Sequence, residues 1–105
     1  MKSNICESLQ RVSLPDTITA IKYQAFEVCS SLTEINIPEN TKRLEKSCFG
    51  GCRALQNLYV PASVTEITGP LFYDCKKLVV TTSAGSAISK YYSNNLKEIR
   101  GLEEI

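Results

Sequence analysis

Histidine is absent from the 105 residues. That removes Ser–His and Cys–His nucleophile pairs and every histidine-based metal site. No apolar run approaches about 18 residues, so nothing in the sequence reads as a membrane span. Met1–Ile5 is too short and too polar for a signal peptide, and no Asn-x-Ser/Thr sequon occurs. An excess of one charge is also missing. Twelve Lys and Arg face 11 Asp and Glu, giving a net charge of +1. The two signs are interspersed, which argues against a nucleic-acid partner, for which a basic stripe is expected. No Gly- or Pro-rich linker divides the chain, so 1–105 reads as a single domain. Gly50-Gly51 is followed by no Gly-Lys-Ser/Thr and opens no helix, so it reads as a tight bend rather than a phosphate loop. Glu7, Glu27, Glu34, Glu103 and Glu104 are isolated acids with no pairing that implies glycoside chemistry. Cys48-x-x-x-Cys52 lacks a second pair to complete a zinc site. The expectation is no enzyme, no catalytic residue, no metal and no cofactor.

What the sequence does have is a repeat. Phe26, Phe49 and Phe72 are spaced by 23 residues. Pro15, Pro38 and Pro61 keep the same step, as do Cys6, Cys29, Cys52 and Cys75, and Leu9, Leu32, Leu55 and Leu78. Further apolar columns are Val12/Ile35/Leu58 and Leu14/Ile37/Val60. The pairs Ile18 and Ile21, Thr41 and Leu44, Val64 and Ile67 follow the prolines. A fixed period of this length is the signature of a solenoid, whose units bury their apolar faces only against their neighbours.

Each unit has a physical reading. Leu32–Ile37 ends in alternation, with Ile35 and Ile37 on one face and Glu34 and Asn36 on the other, as a half-buried strand requires. Pro38 ends that strand because it fixes φ and cannot donate to a ladder. Glu39-Asn40 is turn chemistry. Thr41–Leu44 can form a second short extended piece. Glu45–Cys52 reads as a tight or short helical turn with Phe49 and Cys52 inward. The LxxLxL core stands as Leu9–Leu14, Leu32–Ile37 and Leu55–Val60, and Ile18–Pro38 fits the pattern IxxIxxxAFxxCxxLxxIxIP at nearly every named position. The chain thereby resembles the leucine-rich repeat family, and within it the BspA-like subclass. Cys48 and Leu71 depart from the alanine held by Ala25, and the fourth copy loses its strand signature after Leu78, with Val79-Val80-Thr81-Thr82 and no proline.

The expected fold is a strand-rich α/β-type repeat solenoid of about four coils over 6–82, with parallel strands, short helical turns and a C-terminal cap and tail over 83–105. Ser83–Ser86 reads as an N-cap region for a short helix with Ile88, Tyr91 and Tyr92 as its apolar face; the resemblance implies that such a helix closes the solenoid. The tail Leu96–Ile105 is open between a last strand fragment and an amphipathic segment. The cysteine column points inward, and the odd number favours a ladder of reduced, buried thiols. That implies a reducing, cytoplasmic location, or a surface or secreted one if the chain is a fragment.

Chemistry is left to the exposed strand face. Its expected columns are Arg11, Glu34, Asn57 and Val80, and Ser13, Asn36, Tyr59 and Thr82, flanked by Gln10, Thr33, Gln56 and Val79. These residue types suit recognition, with Tyr59 as the anchor. The resemblance implies a protein-interaction module of unidentified partner; the alternative is a self-assembling structural unit or a fragment of a longer repeat protein. Self-association, most simply as a dimer, is expected through Leu9, Val12 and Leu14 of the first coil or through Leu96, Ile99 and Leu102 of the tail.

Overall fold

The computed structural model describes residues 5–93 and 98–105. Along the chain it places α1 (Ile5–Ser8), β1 (Arg11–Val12), β2 (Ala20–Ile21), β3 (Glu34–Ile35), β4 (Arg43–Leu44), β5 (Asn57–Val60), β6 (Glu66–Ile67), β7 (Cys75–Thr82), α2 (Ala87–Tyr92) and β8 (Ile99–Glu104). All strand pairs are parallel: β1 with β3, β2 with β4 and β6 in that order, and β5 with β7 and β8 in that order. β3 lies against β5, so the first and third sheets run on as one strand face. The β2-β4-β6 sheet forms a second face.

A third arm carries no strands yet is fully laddered. In the turn around Phe26 the amides of Gln24, Phe26 and Val28 donate to the carbonyls of Lys46, Cys48 and Gly50 in the next coil. The amides between them, Ala25, Glu27 and Cys29, close local turns instead. The pattern repeats one coil on, where Ser47, Phe49 and Gly51 donate to Pro70, Leu71 and Tyr73. Alternating local and inter-coil bonds satisfy these amides without regular secondary structure.

The repeat columns pack as the spacing predicts. Phe26, Phe49 and Phe72 stack with centroids 5.7 and 5.9 Å apart, and Tyr92 of α2 continues the column at 5.3 Å from Phe72. Phe49 and Phe72 are fully buried, along with Leu32, Leu55 and Leu78. The first coil is looser: Leu9, Val12, Leu14 and Phe26 are only half-buried.

α2 forms as its N-cap predicts. The Ser86 hydroxyl accepts from the Ser89 amide at 3.1 Å, the usual way to satisfy a first-turn donor. The helix lies against β6 and β8, and so covers the end of the β2-β4-β6 sheet.

Three expectations are corrected. The fourth copy does not lose its strand: β7, at eight residues, is the longest among the described residues. Its register with β5 is Asn57↔Val79 and Tyr59↔Thr81, a step of 22 rather than 23. Because side chains alternate along a strand, a one-residue shift reverses every facing. Val80 and Thr82, expected outside, are therefore fully buried, and Val79 and Thr81 take their places. The tail resolves as a strand, since β8 pairs with β7 through Val80↔Leu102 and Thr82↔Glu104. Leu96 lies outside the described residues. The thiol ladder is interrupted as well: Cys6 and Cys29 form a disulfide with Cα atoms 4.5 Å apart. Adjacent coils of a parallel stack sit about 4.8 Å apart, within the reach of a bridge. Cys48, Cys52 and Cys75 stay free and buried.

Candidate interaction surface

The outward columns of the strand face differ from one end to the other. At the β1/β3 end Arg11, Thr33, Glu34 and Asn36 are occupied within the molecule. Arg11 Nε lies 2.8 Å from Glu34 Oε1, an exposed pair that neutralises its own charge and contributes little stability. The Asn36 side chain accepts from the Leu14 amide at 2.6 Å and donates to the Leu14 carbonyl at 3.1 Å. It extends the β1–β3 ladder by one more pair, and so is a structural rather than a recognition residue. The Thr33 hydroxyl donates to the Gln10 carbonyl. Ser13 and Asn57 join Arg11, Glu34 and Asn36 around an open depression of about 700 Å³.

The β5/β7/β8 end is different. Asn57 and Gln56 are exposed, and Tyr59 is 41 % exposed. A second depression of about 530 Å³ is lined by Gln56, Asn57, Lys77, Val79 and Arg100. Thr81 donates to Glu103. Of the expected self-association residues, Ile99 is buried opposite Cys75 and so unavailable, while Leu102 is half-buried. Of the expected face residues, the structure thus keeps Arg11, Ser13, Glu34, Asn57 and Tyr59 at the surface, commits Asn36 to the backbone, and removes Val80 and Thr82.

A family model described as the BspA type leucine rich repeat region (6 copies) matches residues 3–105. The chain belongs to the BspA-type leucine-rich repeat family. No curated protein and no solved structure is a significant match to it.

In this BspA-type chain the sulfur column serves packing. Cys52 and Cys75 donate from Sγ to the carbonyls of Phe26 and Phe49 in the preceding coil, at 3.3 and 3.1 Å. Burial pushes the Cys52 thiol up to about 12 and the Cys75 thiol up to about 11, and raises Cys48 as well. Thiols so held are poor nucleophiles. Among the described residues no group of three or more His, Cys, Asp or Glu could hold a metal ion, and no helix is long and apolar enough to cross a membrane.

The second face is saturated with its own charges. Glu45 accepts from the Tyr23 amide and meets Arg43 and Lys22 at 3.4 and 3.9 Å, while Arg43 also meets Glu66 at 3.4 Å. The Tyr23 amide first, then Arg43 and Lys22, hold the Glu45 carboxyl below the usual range.

Sequence reasoning missed Lys77 and Arg100. They are 23 residues apart and share a column, that of Ala54, which was not among the expected face columns. Lys77 and Arg100 line one depression with Gln56, and the β7–β8 register is irregular between Cys75 and Val79. The signal available was that Leu78-Val79-Val80-Thr81-Thr82 is one residue shorter, from leucine to the last inward position, than Leu55–Val60.

Proposed function

We propose that this chain is a non-catalytic protein-interaction module that binds through the exposed strand face. The observation that carries the reading is the contrast between the two faces. On the β2-β4-β6 face Lys22, Arg43, Glu45 and Glu66 pair with one another, whereas the other face presents exposed Tyr59 beside Asn57, which lines two open depressions. An aromatic side chain flanked by amides on a rigid sheet can anchor a partner at small conformational cost. Selection of binders from a displayed random peptide library, with affinities remeasured on Asn57→Ala and Tyr59→Ala, tests the reading. Binders that lose affinity in both variants support it. Binders indifferent to both contradict it.

A second reading, self-assembly, is favoured by one observation: Leu9, Val12 and Leu14 are only half-buried in the first coil, and Leu102 is half-buried in the last strand. Val12 and Leu102 occupy the same inward column, through Ile35, Leu58 and Val80, so copies stacked end to end would continue it. The three free, buried thiols favour a reducing location, and the Cys6–Cys29 bond argues the other way.

A further inference from the structure

We propose that the β5/β7/β8 end of the strand face recognises an acidic, extended peptide segment, with carboxylates seated on Lys77 and Arg100. The inference rests on the strand-face reading and adds the chemistry of the partner. At the β1/β3 end Arg11 is taken up by Glu34 and Asn36 by the Leu14 backbone. Arg53 is taken up by Asp74 at 2.8 Å, and Arg43 by Glu45 and Glu66. Lys77 and Arg100 have no carboxylate partner among the described residues, although the chain as a whole is nearly charge-balanced. Both line the same depression of about 530 Å³, with Gln56 and Asn57 as its amides. Glu103, whose carboxylate the Thr81 hydroxyl meets at 3.5 Å, does not line the depression. A cavity walled by two unpaired cations and two amides is complementary to carboxylates. An extended segment fits because the floor is a parallel sheet whose outward positions repeat at strand spacing.

The test is display selection of random peptides against the intact chain. Solution affinities are then measured for the recovered peptides and for counterparts with each carboxylate replaced by its amide. The proteins compared are wild type, Lys77→Gln/Arg100→Gln, Tyr59→Ala and, as a control on an outer surface, Lys90→Gln. The expected result is enrichment of Asp and Glu and a loss of about tenfold or more in the double variant and in the amide counterparts. Affinity should also fall as salt is raised, and Lys90→Gln should bind as wild type. Peptides that need Tyr59 but are indifferent to Lys77, Arg100 and their own carboxylates would overturn the acidic partner and leave the strand-face reading standing. Peptides indifferent to Tyr59 and to the double variant would overturn both.

Discussion

Phe49 sits between two rings and has no exposed surface. Its replacement by alanine opens a cavity in the middle of the spine, so Phe49→Ala should cost about 3–5 kcal/mol in chemical denaturation. Thr41 presents the opposite case. It occupies the apolar column of Ile18 and Val64, is fully buried, and its hydroxyl has no hydrogen-bond partner. Thr41→Val removes an unsatisfied polar atom at nearly constant shape and should stabilise the fold by about 1 kcal/mol; a destabilised variant in the same denaturation experiment would contradict that. Gly50 illustrates a third constraint. A Cβ there would lie 2.0 Å from the Tyr73 ring, because Tyr73 crosses over Gly50 to donate a 2.6 Å bond to Glu27, two coils away. Gly50→Ala must displace the ring, and so loses the bond that Tyr73→Phe loses. The double variant should therefore cost little more than Gly50→Ala alone, a non-additivity that a double-mutant cycle measures.

At the scale of elements, the coil turns are where local conformation is most demanding. Val28, Gly51 and Asp74 share one column and all have positive φ, near +60°, +74° and +56°. Glycine suits that region and a β-branched side chain does not. Val28→Gly should accordingly raise stability by about 1 kcal/mol, read as a shift in thermal midpoint. The second face adds a pH dependence. Glu45 is held below its ordinary value, so the stability it contributes is present above the unfolded carboxylate range and is lost as pH falls through the lowered folded value. Glu45→Gln should flatten that acid limb of the stability profile. These elements also show what was legible in the sequence. The Phe, Leu and Ile columns were, because packing between stacked units requires like residues at like positions. The cap was, through Ser86. The facing of β7 was not, because a single deletion within an otherwise regular period inverts the facing, and Val79-Val80-Thr81-Thr82 has no apolar–polar alternation to show which members point inward. Nor was the role of Asn36, since an amide that bonds a neighbouring backbone looks the same in sequence as one awaiting a ligand.

For the whole molecule, the free thiols and the ends of the stack give the checks. Cys48, Cys52 and Cys75 should react with a small thiol reagent only in denaturant, and Cys6 and Cys29 only after reduction as well; prompt labelling of any of them in the native protein would contradict the burial of the column. Assembly is decided by light scattering with size exclusion over a range of concentration. End-to-end stacking predicts that Val12→Lys and Leu102→Lys each dissociate the assembly, and a wild-type monomer at high concentration excludes it.

The 22-residue step into β7 continues the outward strand positions through Val79 and Thr81 and turns Val80 and Thr82 into the core. Cysteine accessibility reads it directly, because the native sulfurs are buried or bonded. Val79→Cys should label promptly in the native protein, and Val80→Cys only on unfolding. Prompt labelling at position 80 with protection at position 79 would restore the uniform 23-residue register and contradict the surface described for this chain.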